Sequence, residues 1–466
     1  MKVVEQEPVS TFSADVDTSS YAFGRKLLNE GRFPAADAVR VEELVNYFDY
    51  NYQTPAGADP PFKPTVALFP APWNEQKQLM LVGIKGYSTP PKERPSANLV
   101  LLVDISGSMA HQNRLPLLKR AFAMMVEQLR PEDRVAIVVY ASNVGVVLPP
   151  TPVSEKEFIL AAIESLQAGG STSGGAGLKV AYEMAEKHFD PKAINRVILA
   201  TDGDFNVGIT SVDVLRDFIV TKRKTGIFLS VLGVGEMNYN DTMMQALAQH
   251  GNGVAAYIDS MSEARRVLVD KLSANLFPIA NDVKIQVEFN PERVAEYRLI
   301  GYETRMLARE DFKNDKVDAG DLGSGHTVTA LYELTMVGSP ARQNDALRYA
   351  KSHAKAKKES TAPLPGDEYA FLKIRYKLPG EQSSKLIEQP INDEARFISL
   401  KKTPSDFRFA AAVAAAGQKL QNSTYLGDFS YDKIMDLGNK SKGEDPGGYR
   451  QEFLNLLKLA QTLDRR

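Results

Sequence analysis

Residues 98–108 read NLVLLVDISGS. The run Asn98–Val103 is apolar, short and rich in Val and Leu, which fits a buried strand better than a helix. It ends in Asp104-Ile105-Ser106-Gly107-Ser108. Asp104, Ser106 and Ser108 alternate, so an extended turn aims their three oxygens at one point. Gly107 allows the backbone to bend tightly there.

Outward from this strand the chain alternates between strand-like and helical stretches. Leu115–Leu129, Ser154–Leu166, Gly175–His188, Val212–Thr225, Thr242–His250 and Ser262–Leu272 read as helices. Arg134–Tyr140, Arg196–Ala200, Ile227–Val234 and Val254–Ile258 read as strands. Near-continuous apolar strands between amphipathic helices predict a parallel sheet covered on both faces, a doubly wound α/β domain over residues 95–275. Such sheets bind ligands beyond the carboxyl ends of their strands.

Two more loops belong at that edge. Gly169-Gly170-Ser171-Thr172-Ser173-Gly174-Gly175 precedes a helix, and Thr201-Asp202-Gly203-Asp204 follows a strand. Hydroxyls and carboxylates from the three loops are the ligands that Mg²⁺, Mn²⁺ or Ca²⁺ prefer. Three neutral hydroxyls bound directly leave a dication under-neutralised, while aspartates can hold its waters. An open position would then attract an acidic group from a partner. No residue in the loops is placed as nucleophile or proton shuttle, so a binding site is expected and an enzyme is not.

The flanks read differently. Residues 1–64 are expected to form an N-terminal helical segment, with helices at Tyr21–Gly31 and Val39–Tyr47. Asp15-Val16-Asp17-Thr18 superficially resembles the paired aspartates of haloacid-dehalogenase-type phosphatases, but those follow a buried apolar strand and Val9–Ser13 makes a poor one, so the stretch reads as a cap for the first of these helices. Residues 65–94 hold a strand pair, with Trp73 in the turn as a packing anchor. Residues 276–400 carry alternating strands at Val283–Phe289, Ala295–Tyr302, Thr327–Met336 and Tyr369–Leu378, each read as having one wet face. Residues 338–368 read as a loop with a solvated basic run, Lys351–Lys358. Residues 401–466 are expected to be helical. Two strands alone make a marginal sheet, so the pair at 65–87 should join the later strands. That makes one antiparallel β-sandwich with the α/β domain inserted into it.

Composition excludes several classes. The 466 residues carry a formal charge of −2, which argues against a nucleic-acid binder. There is no cysteine, hence no disulfide, thiolate zinc site or cysteine nucleophile. The five histidines show no ligand spacing. No apolar run approaches the ~20 residues needed to cross a bilayer.

The motif Asp-x-Ser-x-Ser, with a Thr in the second loop and an Asp in Thr-Asp-Gly, resembles the von Willebrand factor type A (VWA) domain and its metal-ion-dependent adhesion site (MIDAS). Asp104, Ser106, Ser108, Thr172 and Asp202 occupy its five positions. The resemblance implies a Rossmann-like sheet, Mg²⁺ as cofactor and recognition of a protein carboxylate. The stretches Asp15–Tyr50 and Ala330–Leu334 resemble a bacterial group in which a VWA domain lies between a family-specific N-terminal segment and a C-terminal domain of unknown function. Members are usually exported or lipid-anchored, which implies a cell-envelope protein whose leader is absent from this chain, with a cytoplasmic protein as the other reading.

Three residues are read as rim positions, Asp204, Asn206 and His111. For His111 an exposed loop histidine is the plainer reading. Asp202–Asn206 lacks the Gly and Glu of a calcium loop, since Val207 and Asp213 stand in their places. The leading function is a metal-dependent adhesion or protein-binding module. An envelope assembly or scaffold factor is the alternative, and a metal-dependent hydrolase comes third.

Overall fold

The computed structural model of the chain describes residues 1–15, 17–171, 174–203, 212–235, 241–317, 319–345 and 366–464. In chain order its strands begin with β1 (Lys2–Val3), β2 (Val9–Ser13), β3 (Phe62–Ala71) and β4 (Asn74–Gly86). The α/β domain holds β5 (Ala97–Asp104), β6 (Arg134–Tyr140), β7 (Val144–Pro152), β8 (Ile194–Thr201), β9 (Ile227–Val234) and β10 (Ala255–Ile258). Beyond it lie β11 (Pro278–Phe289), β12 (Val294–Leu299), β13 (Gly320–Gly323), β14 (Thr327–Met336), β15 (Ala370–Lys377) and β16 (Lys385–Ile391).

The central sheet runs β10-β9-β8-β5-β6-β7 and is parallel except for β7. Alternate residues of β5 feed two cores. Leu99, Leu101 and Val103 pack with Leu118, Phe122, Met125 and Ile159 on one face. Val100 and Leu102 pack with Leu178, Tyr182, Leu215 and Met244 on the other. Each such buried aliphatic side chain contributes roughly 1.5–3 kcal/mol, and double-sided burial is why the strand reads as an unbroken apolar run.

Both sheet edges are blunted. The edge strand β7 carries Pro149, Pro150 and Pro152, which offer no N–H to an incoming strand. At the other edge, the side chains of the N-terminal segment stand in for a strand. Asp17 Oδ1 accepts from the Ala255 N–H (3.1 Å), and Ser19 Oγ donates to the Ala255 carbonyl (3.3 Å).

Two antiparallel sheets form the second unit. One runs β1-β12-β14-β4-β3, and the other β13-β11-β15-β16 with β2 also on β11. The strand pair before the insertion is thus bonded to a strand after it, with Thr327 opposite Lys85 and Leu334 opposite Gln78. Met80, Val82 and Ile84 face Ile285, Val287 and Ile374 across the sandwich. Leu79 and Leu81 point the other way, onto helices Val41–Asn46, Ser405–Leu420, Tyr431–Ser441 and Tyr449–Asp464. Trp73 packs against this helical layer, 6.4 Å from the Phe429 ring.

The two connections to the inserted domain run side by side. Tyr87 accepts from Gly325 N–H (3.0 Å), and Phe277 accepts from Ser324 N–H (2.8 Å). One loop of the sandwich therefore holds both the entry and the exit.

Several expectations need correction. Residues 1–64 are not only helical, since β1 pairs with β12 and β2 pairs with β11. Val9–Ser13 is a buried strand because its hydroxyls find partners. Tyr332 Oη bonds Ser10 Oγ at 3.0 Å, Gln286 Nε2 donates to Thr11 Oγ1 at 2.9 Å, and Gly320 N–H donates to Ser13 Oγ at 2.8 Å. Asp15 and Asp17 do not cap a helix; both pair with Arg305 at 2.9 Å. The helix Ser19–Asn29 is served instead by Glu43, whose carboxylate accepts from Ser20 N–H at 2.8 Å. β14 has no wet face, because the helical layer covers it, whereas β15 does alternate. The basic run at 351–358 lies outside the described residues.

A buried ion cluster fastens the units together. Glu263 is 1% exposed. It accepts from Arg25 Nη2 (2.8 Å), Arg266 Nη1 (3.2 Å) and the Tyr47 hydroxyl (2.6 Å). Arg25 also grips Asp259 and Glu452. Although burial opposes ionisation, Arg266 and Arg25 together hold the Glu263 carboxyl below its ordinary value of 4.5. A depressed acid lets the unfolded chain bind the extra proton, so its contribution is complete above that value and fades as pH falls through the lower native one. Glu263→Ala should cost roughly 3–5 kcal/mol, since it leaves two buried guanidiniums short of a partner. Urea titration should give a deficit against wild type that is level from about pH 5 to 8 and shrinks in acid.

Candidate metal centre

The centre starts from strand order. β5 lies between β6 and β8, with Asp104 opposite Tyr140 and Val103 opposite Ala200. The three strands therefore deliver Asp104, Tyr140 and Thr201-Asp202 to one edge. Asp104 is fully buried and Asp202 is 3% exposed. Asp104 Oδ1 accepts from Ser106 N–H at 2.8 Å, which folds the turn back on itself. Thr201 Oγ1 lies 3.5 Å from Asp104 Oδ2, and the buried Tyr140 sits beside Asp104 on the neighbouring strand. Burial pushes the Asp104 carboxyl up to about 6 and the charge of Asp202 adds to the rise, against the hydrogen bonds from Ser106.

The second loop is clamped to the first through the backbone. Gly169 N–H donates to Ile105 O (2.7 Å), and Gly107 N–H donates to Gly170 O (2.9 Å). Gly170 has φ +85°, and a Cβ there would sit 2.6 Å from Ser142 Oγ. Ser142 Oγ in turn accepts from Ser171 N–H at 2.9 Å. These contacts place the residue immediately before Thr172. Thr172 itself, Asp204 and Asn206 lie outside the described residues.

Ser106 Oγ and Ser108 Oγ are 3.1 Å apart. Adjacent oxygens of an octahedron with ~2.1 Å metal bonds stand roughly 3.0 Å apart, so the pair suits neighbouring ligands of Mg²⁺. Among the described residues no three His, Cys, Asp or Glu side chains gather as a metal cluster. The donor set here is two hydroxyls beside two buried carboxylates, which fits a hard dication. His111 is exposed after the short 3₁₀ turn Gly107–Ala110, and its carbonyl accepts from Arg114 N–H at 3.0 Å.

Sequence reading missed Arg114, Tyr140 and Ser142. Arg114 Nη1 donates to Ser108 O (2.8 Å) and to Asp202 Oδ2 (2.7 Å). No spacing signal announces it, because it reaches the site only through the turn that precedes the helix Leu115–Val126. Thr201 was legible as part of Thr-Asp-Gly, though its contact with Asp104 was not.

The fold and these loops define a VWA-domain protein, and the comparisons agree. The von Willebrand factor type A domain family matches residues 99–204, and the family described as von Willebrand factor matches residues 1–81. The family described as the C-terminal part of uncharacterized protein YfbK matches residues 274–463. The Escherichia coli (strain K12) protein YfbK, itself uncharacterized, is 47% identical over 466 residues, which cover 99% of this chain and 79% of that protein. The chain belongs to the YfbK-like family of VWA proteins.

Two solved structures are also similar. A von Willebrand factor type A protein from Catenulispora acidiphila is 16% identical, with a TM-score of 0.44 over 87% of this chain and 91% of that one. Proximal thread matrix protein 1 from the mussel byssus, described with a zinc-occupied MIDAS motif, is 22% identical, with a TM-score of 0.33 over 39% of this chain and 48% of that one.

Calorimetry should find one Mg²⁺ or Mn²⁺ per chain, lost in Asp104→Ala while the far-ultraviolet circular dichroism stays unchanged. Gly170→Ala should weaken the metal by roughly 1 kcal/mol or more, the cost of forcing a side chain onto a positive-φ position. Unaltered metal binding in Asp104→Ala would falsify the assignment.

Proposed function

We propose that the VWA domain is a metal-dependent binding module that recognises an acidic group of a partner protein. Asp104, Ser106, Ser108 and Thr172 would hold a divalent cation, with Asp202 supporting it. The cation would supply positive charge and an open position for a carboxylate. The observation that carries this reading is the meeting of buried Asp104 and Asp202 with two hydroxyls 3.1 Å apart at one sheet edge.

The chain's own residues do the rest. Thr201 Oγ1 lies within 3.5 Å of the Asp104 carboxylate, and Arg114 Nη1 donates to Asp202 Oδ2 at 2.7 Å. Burial keeps competing water from both acids, which strengthens their pull on a cation. The module is read as non-enzymatic and as belonging to the cell envelope, where adhesion or assembly of partner subunits would use the same site. Among the described residues no helix is long and apolar enough to cross a membrane.

The test is a surface-immobilised peptide set in which a single Glu is present or replaced by Gln. Wild type should hold the Glu peptides in Mg²⁺, release them in EDTA and ignore the Gln peptides. Asp104→Ala should hold neither. Turnover of a generic phosphoester or ester that disappears in Asp104→Ala would instead establish hydrolysis. Chelation alone should lower stability by no more than RT ln(1 + [L]/Kd), because the sheet core does not depend on the metal; unfolding in EDTA would contradict this.

A further inference from the structure

Arg114 is placed with more care than a surface ion pair requires. Its stem carbons Cγ and Cδ and its Nε run past Gly235, which has φ +90°, and a Cβ at that position would lie 2.5 Å from Arg114 Nε. The passage exists because residue 235 is glycine. The Tyr257 hydroxyl donates to the Gly235 carbonyl and fixes this end of β9. The Arg114 side chain is 14% exposed and Asp202 3%. Nε is buried and has no hydrogen-bond partner among the described residues, while Nη1 serves both Ser108 O and Asp202 Oδ2. Burying an unmet N–H costs free energy, so something at the site must offset it. The offset available is charge, because Asp104 and Asp202 are two buried carboxylates that repel each other.

We infer that Arg114 is a built-in counter-cation of the centre, balancing Asp202 in the metal-free protein and holding divalent-cation affinity below what two buried aspartates alone would give. This rests on the metal-dependent reading above. A structural tie between the first and third loops makes the opposite prediction. Cutting a tie loosens the loops and weakens the metal, whereas removing a counter-cation leaves excess negative charge and strengthens it.

The experiment compares wild type, Arg114→Gln, Arg114→Lys and Asp104→Ala as full chains. Mn²⁺ alone is titrated by calorimetry, and thermal midpoints are read in EDTA and in excess Mn²⁺. Arg114→Gln should bind Mn²⁺ roughly tenfold tighter than wild type, through the loss of a positive charge beside the ion. Its midpoint should fall in EDTA and recover in Mn²⁺. Arg114→Lys should return towards wild-type affinity. An Arg114→Gln chain that folds only with Mn²⁺ present also supports the inference, since the metal then replaces the guanidinium. Equal or weaker Mn²⁺ binding in Arg114→Gln overturns it and leaves Arg114 as a loop tie, with the metal reading intact if Asp104→Ala still loses the ion. No binding in wild type or in Arg114→Gln overturns both.

Discussion

Glu263 carries its charge at 1% exposure, and the arrangement of the whole chain follows from how that charge is met. An ion taken from water at this depth costs several kcal/mol unless opposite charges and hydrogen bonds are already in place. Arg266 comes from the last helical stretch of the VWA domain, one turn away. Arg25 and Tyr47 come from the N-terminal segment, more than two hundred residues earlier. Arg25 then reaches on to Glu452 in the C-terminal helix. The Arg266 guanidinium also lies 3.8 Å from the centroid of the Tyr47 ring. The last helical stretch of the inserted domain is thus bonded directly to the N-terminal segment and, through Arg25, to the C-terminal helix. This makes the flanking helices part of the VWA domain's support, although their apolar residues belong to the sandwich side.

What was legible in the sequence was local and periodic. The β5 run, the alternating Asp104, Ser106 and Ser108, and the glycine-rich second loop announce themselves because strand period and turn chemistry act over a few residues. The pairing of β4 with β14 followed from a physical demand, since a lone hairpin has two open edges. What stayed hidden depends on partners far away. Val9–Ser13 reads as too polar for a core strand, yet its hydroxyls are met by Tyr332, Gln286 and the Gly320 N–H. β14 has polar residues at alternate positions, but Thr329 meets the Tyr52 hydroxyl at 2.7 Å and Glu333 meets Lys77 at the same distance, so neither face is wet. Arg114 was invisible for a similar reason. Its role is set by the curl of the chain between Ser108 and Leu115, which no residue spacing encodes.

The supporting cluster and the candidate centre share one edge of the VWA sheet. Asp259 follows β10, Gly235 follows β9, Asp202 follows β8 and Asp104 ends β5, and these are neighbouring strands in that order. At ~4.8 Å between strands, Asp259 and Asp104 stand roughly 14 Å apart. Phe23 of the N-terminal helix lies edge-on to Tyr257 at 6.0 Å. Tyr257 holds the Gly235 carbonyl, Gly235 gives Arg114 its passage, and Arg114 holds Asp202. Such continuity supplies stiffness: each group limits where the next can sit. Stiffness differs from transmission, which requires a second packing of similar energy that both sites bias. A buried ion pair such as Arg25–Asp259 resists that kind of rearrangement, because moving either member strands a charge away from water. The N-terminal segment is therefore a fixed wall along this edge of the sheet, held there by Arg25–Asp259 and by Phe23 against Tyr257.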